Sequence, residues 1–333
     1  MMPVAPGVHW IRMPIPIPGL QFINLWAVED EGGWTLIDTG LRSRRIQAYW
    51  EQIFAGPMAG RPVVRIICTH FHPDHLGLAG WIAERFRVPL WMTLGEWSFG
   101  RAIALDERDA VPDDVMAFYR RLGFDEAALM QYRERGFNNY RQAVYEIPNA
   151  FHRMVDGDTI RIGGHDWTVM VGRGHAPEHA CLYCADLGLL ISGDQILPRI
   201  TPHIGVYPTE PDGDPLRLYL ASLPTYRPLP ADTFVLPSHN DPFRGLHLRL
   251  DQLAQHHEIR LAALMAACGQ PKTVLELLPV LFRRELDTRS KFMAVGEGLA
   301  HLHCLMAEGR MKREVGADGV LRYQSTARAV DAA

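Results

Sequence analysis

The sequence is poor in cysteine, has no long apolar run, no internal repeat and no strong excess of charge of one sign. Its five cysteines, Cys68, Cys181, Cys184, Cys268 and Cys304, are an odd number scattered through apolar text. That excludes a disulfide framework and fits reduced thiols in a cytoplasmic protein. Cys181 and Cys184 have the spacing of a redox or zinc pair. They lie inside the strand-like text "ACLYCADLGLLISGD" without a second pair, and so read as core packing. No segment approaches the ~20 apolar residues that cross a bilayer. The amino-terminal "MMPVAPGVHWIRMPIPIPG" is interrupted by prolines where a secretion signal would be continuous. The expectations are a cytoplasmic location and no membrane partner. A formal net charge of −4 gives no global basic surface for nucleic acid.

What is present is an ordinary globular composition, 47% hydrophobic and 22% charged, over 333 residues, enough for a core domain and an appendage. From Gly19 to Asp38 the text reads as a hairpin turning at "EDEGG". A helix "SRRIQAYWEQIFAG" follows, then a β-branched strand "PVVRIICTH", a helix "HLGLAGWIAERF" and a short strand "VPLWMT". This alternation predicts an α/β layered core. Residues 95 to about 150 have charged helical texture and read as an insertion. Its aromatics Trp97, Phe118, Tyr119, Phe124, Phe137 and Tyr140 either roof an apolar pocket or pack among the inserted helices. Strands return in "DTIRIGGHDWTVMVGRGH", "ACLYCADLGLLISGD" and "TFVLPSHND". Between the last two runs lies a long proline-rich loop carrying His203 and Tyr207, which either contact substrate or are solvated.

After about residue 245 the texture is helical again, ending in "MKREVGADGVLRYQ", a two-stranded wing turning at Asp318-Gly319. Domains are expected at 1–245 and 246–333, the second winged-helix-like. From Arg249 onward it carries 12 Lys/Arg against 10 Asp/Glu, a poor basis for binding phosphates. His256, His257, His301 and His303 read as helix-surface or packing residues.

The chemistry concentrates in "ICTHFHPDHLG". His70, His72, Asp74 and His75 fall where a strand ends and a helix begins, the place where α/β folds put their sites. Four potential ligands so close together are costly to bury unless a cation joins them. Three more polar residues follow apolar runs downstream: His175 in "GRGHAPEH", Asp194 in "LLISGDQIL" and His239 in "VLPSHND". As an ordered set, with Asp38 in "LIDTG", these motifs resemble the metallo-β-lactamase superfamily over about residues 8 to 242.

The resemblance implies an αββα sandwich with the site along one edge. It implies two divalent metal ions, one held by His70, His72 and His175 and the other by Asp74, His75 and His239, with Asp194 bridging. Zinc comes first, and iron or manganese also suit imidazole and carboxylate donors. The expected activity is hydrolysis of a small ester or thioester by a metal-bridging hydroxide, with Asp74 and Asp194 in the catalytic set. Asp38 would orient a ligand. His179 reads either as a capping or loop residue or as a proton shuttle. Redox relatives of the flavodiiron type replace the second histidine of the cluster with glutamate; His72 stands here, favouring hydrolysis. Secreted lactamases carry a signal and no winged-helix tail, the reverse of this chain.

Two alternatives stand beside a glyoxalase-II-type thioesterase. One is a lactamase-like endoribonuclease acting on single-stranded RNA, whose tail is similar. The other is a metal-bearing, non-catalytic binding protein, disfavoured by intact residues at all seven positions. The expected partners are a small-molecule substrate and no nucleic acid; the carboxy-terminal module either packs on the core or makes a dimer contact with a second copy of the chain.

Overall fold

The computed structural model describes residues 1–17, 20–137 and 139–326; Gly19, the expected start of the first hairpin, lies outside them. The chain divides into two compact units, each discontinuous in sequence. The first comprises residues 1–107, 138–202 and 226–249, and the second 108–137, 203–225 and 250–333.

The first unit contains two sheets. Strands β1 (Met2–Ala5), β2 (Val8–Ile17), β3 (Leu20–Asp30), β4 (Gly33–Ile37), β5 (Val63–Ile67), β6 (Leu90–Thr93) and β7 (His152–Met154) form the larger, in chain order. It is antiparallel as far as β4 and parallel from β4 to β7. Strands β8 (Thr159–Ile162), β9 (His165–Gly172), β10 (His179–Cys184), β11 (Leu189–Gly193) and β12 (Phe234–Pro237) form the smaller, with β12 parallel to β11.

Strand alternation assigns every second side chain to one face. In β3, Trp26 and Val28 join Ile37, Ile67, Trp167, Val169, Leu182 and Leu236 in the core between the sheets. Their neighbours Leu25 and Ala27 face the other way, against Ile46 and Trp50 of helix α1 (Arg44–Ala55) and Ile82 of α3 (Ala79–Phe86), with short α2 (Pro73–Leu76) between. Trp26 is completely buried, and removing such a ring costs about 3–5 kcal/mol. Helix α1 starts where Ser43 accepts the Ile46 N–H, the N-cap its sequence offers.

The expected insertion is divided between the units. Helix α4 (Leu94–Ala104) and short α7 (Tyr140–Ala143) belong to the first, α5 (Asp113–Arg121) and α6 (Glu126–Glu134) to the second. Trp97 stacks on Phe151 at 4.4 Å, while Tyr119 and Phe124 pack on Phe292. For these three aromatics the reading is packing. The second unit also holds α8 (Pro215–Ser222), most of α9 (Leu246–Ala267), α10 (Val274–Leu281), α11 (Thr288–Ala307) and the hairpin of β13 (Met311–Val315) and β14 (Leu321–Ser325). The chain therefore passes between units at 249/250, and also around 107, 137, 202 and 225, instead of once at 245/246. No described helix is long and apolar enough to cross a membrane.

Candidate metal centre

All seven expected ligands lie in the first unit, beyond the carboxyl ends of β5, β9, β11 and β12. Strands from both sheets end there, so residues more than a hundred positions apart meet. They form two groups: His70, His72, His175 and Asp194, and Asp74, His75 and His239. Within each, the donor atoms lie within 4.8 Å of one another.

In the first group, His70 Nε2 lies 2.9 Å from His72 Nδ1 and 3.2 Å from His175 Nε2. The Thr69 hydroxyl reaches both Asp38 carboxylate oxygens, at 2.9 and 3.1 Å, and donates to that carboxylate. It therefore accepts from His70 Nδ1–H at 3.0 Å, which leaves a lone pair on Nε2. One lone pair accepts one N–H, yet two further ring nitrogens converge on it. A cation satisfies all three. In the second group, Asp38 Oδ2 holds His75 Nδ1 at 2.8 Å, and the Phe22 carbonyl accepts from His239 Nδ1 at 3.2 Å. Both rings thus turn Nε2 toward carboxylates: His239 Nε2 lies 3.4 Å from Asp74 Oδ2, and His75 Nε2 lies 3.6 Å from Asp194 Oδ2.

Asp194 stands between the groups. Its Oδ2 is 3.5 Å from His175 Nε2 and its Oδ1 is 3.5 Å from His239 Nε2. His75 Nε2 and Asp194 Oδ1 are buried without a hydrogen-bond partner, as expected of atoms whose natural partner is a metal ion. The donor set, imidazole nitrogen and carboxylate oxygen held by hydrogen bonds on the far side of the ring, fits a divalent transition metal.

The surroundings shift rings of the two groups in opposite directions. Burial, aided by the neighbouring rings, holds His70 and His72 well below the ordinary histidine value. Burial lowers His239 as well, but Asp194 and Asp74 outweigh it and carry the ring up to about 10. Burial also opposes the charge on His75, where Asp38, Asp74 and Asp194 prevail and raise it.

His179 is placed otherwise than a shuttle requires. It begins β10, is fully buried, and its Nε2 accepts the Asp194 N–H at 3.0 Å. Burial holds it at about 3, so the ring stays neutral and its lone pair is engaged. The residue positions Asp194 through that bond. Gly193 beside it is needed twice over. Its φ of 52° is left-handed, and a Cβ there would come within 2.4 Å of the His179 ring. Asp38 is likewise left-handed, at φ 62°, which aims its carboxylate back at the Thr69 N–H and at His75.

The roles of four supporting residues were invisible in the sequence: Thr69, Glu96, Tyr140 and Glu178. The carbonyl of Phe71 accepts from Tyr140 and its N–H donates to Glu96. Burial pushes the Glu96 carboxyl up to about 8 against the backbone N–H bonds that pull it down. The one available signal was a glutamate inside the otherwise apolar "TLGEWSFG".

The metallo-beta-lactamase superfamily model matches residues 18–239, which contain the entire cluster. The chain belongs to that superfamily. A second family model, the metallo-beta-lactamase-like C-terminal domain, matches residues 261–326. The chain is similar to the solved structure of a beta-lactamase domain protein from Burkholderia ambifaria, at 44% identity and a TM-score of 0.90, covering 97% of this chain and 93% of that one. It is also similar to a metallo-beta-lactamase family protein from Thermus thermophilus, at 29% identity and a TM-score of 0.81, covering 97% and 100%. A further relative is the acyl-coenzyme A thioesterase MBLAC2 of Homo sapiens, 24% identical over 200 residues, 57% of this chain and 63% of that protein. The metallo-beta-lactamase fold is thus common to the resemblance, the family models and the solved neighbours. The superfamily consists generally of hydrolases, and this chain keeps a His/Asp cluster able to hold divalent metal.

Proposed function

We propose that the protein is a dinuclear metal-dependent hydrolase of small ester or thioester substrates. The observation that carries the dinuclear reading is the Asp194 carboxylate, with one oxygen 3.5 Å from a ring of each ligand group. His70, His72 and His175 would hold one ion, Asp74, His75 and His239 the other, and zinc suits this donor set first, with iron or manganese compatible. When bound, such ions supply a water whose pKa falls from about 15.7 toward 7 and draw electron density from the scissile carbonyl.

The chain's own contribution is orientation. Asp38 and Thr69 fix two rings from behind, His179 fixes the Asp194 backbone, and Asp74 keeps a negative charge opposite His239. An ester or thioester is favoured over a polyanion by the net charge of −4 and by similarity to an acyl-coenzyme A thioesterase. The order of three helices and a hairpin in α9–α11 and β13–β14 supports a winged-helix-like reading of the C-terminal domain, without a nucleic-acid role. Five buried free cysteines suit the cytoplasm.

The test is turnover of the metal-loaded protein on a panel of acyl-thioesters and activated esters beside single-stranded RNA. Thioester or ester cleavage with RNA left intact is expected. Steeply salt-dependent RNA binding with RNA cleavage, and no ester turnover, would replace this reading with the endoribonuclease one.

A further inference from the structure

The peptide unit at Phe71 separates His70 from His72, and its two polar groups are gripped by the buried Glu96 and the half-buried Tyr140, from helices outside the ligand motifs. Its N–H donates to Glu96 Oε2 at 2.9 Å, and its carbonyl accepts from the Tyr140 hydroxyl at 2.6 Å. The second Glu96 oxygen, Oε1, accepts the Glu178 N–H at 2.6 Å, three residues beyond His175. Glu178 answers in the other direction. Its carboxylate accepts the Gly95 N–H at 2.8 Å at the start of α4, and its carbonyl accepts from Thr93 at 2.8 Å.

We propose that Glu96 and Tyr140 are positioning residues that clamp the Phe71 peptide and, through Glu96, lock the His70–His72 segment to the His175 loop. The three rings of one ligand group come from two loops of two different sheets, and Glu96 bonds directly to the backbone of both loops. A turn of the Phe71 peptide would swing His70 and His72 together, and grips at both its N–H and its carbonyl oppose that turn. Packing alone does not account for Glu96, which is fully buried where an apolar side chain would avoid the cost of desolvating a carboxyl. Helix α4 also makes room for the second grip. A Cβ at Gly100 would lie 3.1 Å from the Tyr140 hydroxyl.

This inference rests on the metal reading of the site, and its test separates the two. Zinc affinity of full-length protein is measured by chelator competition, and ligand geometry by the visible spectrum of cobalt-substituted protein. Tyr140→Phe, which removes one hydroxyl, and Glu96→Ala should each weaken zinc binding about tenfold or more and shift the cobalt spectrum, the range typical of supports behind metal ligands. Glu96→Gln retains one acceptor oxygen and should recover part of the loss seen in Glu96→Ala. If Glu96→Ala fails to fold, Tyr140→Phe alone decides. Wild-type affinity and an unchanged cobalt spectrum in a folded Tyr140→Phe would overturn the clamp. A wild-type protein that binds no metal would remove the metal reading and the clamp with it.

Discussion

The protein buries histidines in two places, one in each unit, and they are built oppositely. In the first unit the rings are interleaved with Asp38, Asp74 and Asp194, and His75 and His239 are each held at Nδ1 by Asp38 or a carbonyl, so that Nε2 points into a shared space. In the second unit His257 Nδ1 meets His301 Nε2 at 3.1 Å, and the Glu297 and Gly213 carbonyls accept from His301 and His303. Among the described residues no carboxylate joins the imidazole pair there, and burial drives His257 down to about 2 and His301 to about 4. Burial of imidazole is therefore not what makes a ligand. Rings in both places are held from behind at Nδ1 by a fixed acceptor; the difference is a carboxylate opposite the inward nitrogen.

The sharpest way to break this comparison is to remove the shared carboxylate. Asp194→Ala should lower metal content and nearly abolish ester turnover, read by elemental analysis and by initial rates. Normal activity at full metal occupancy would show that Asp194 bridges nothing. Next in size, Asp38→Asn keeps the shape behind His75 and loses the charge, and should weaken zinc affinity by about 10–100-fold in a chelator competition. Unchanged affinity would mean that the ring is oriented by packing alone.

The second unit supplies the control. His257 and His301 fold as neutral rings, with native values of about 2 and about 4, below the ordinary 6.5. The unfolded chain thus takes up protons that the folded chain refuses. Their contribution to stability is complete above pH 6.5 and is lost as pH falls through about 4 toward 2. His257→Asn, which can still donate to His301, should flatten that acid limb in denaturation measured between pH 7 and 4. A limb of undiminished steepness would place the acid sensitivity elsewhere. The smallest effect is expected for His301→Gln, which should leave metal stoichiometry unchanged; loss of an ion there would make the second cluster a ligand site too.

How much of this was legible in the sequence depends on the range of the interaction. His70, His72, Asp74 and His75 announce themselves because a strand end and a helix start fall within one short stretch. Asp194 and His239 could be named because each follows an apolar run that ends abruptly. Pro14 and Pro16 obscured β2, since proline removes a ladder donor. They are tolerated because β1 pairs only with the segment from Val8 to Trp10, leaving that edge free further along. Helix α10 is not legible, because its short apolar text "VLELLPVL" is equally compatible with a strand. The parts played by Glu96, Tyr140 and Glu178 were hidden for a different reason. Each acts on a backbone group distant in sequence, and a hydrogen bond to a peptide leaves no residue pattern. The division of the 95–150 segment between two units was illegible on the same ground, because both parts have helical texture.

Two divalent ions per chain are tested most directly by elemental analysis of the purified protein. Two equivalents of divalent metal in the wild type, falling to one in His239→Ala with the His70, His72 and His175 ion retained, is the predicted result. One equivalent or none in the fully loaded wild type, or two in both Asp194→Ala and His239→Ala, would contradict it.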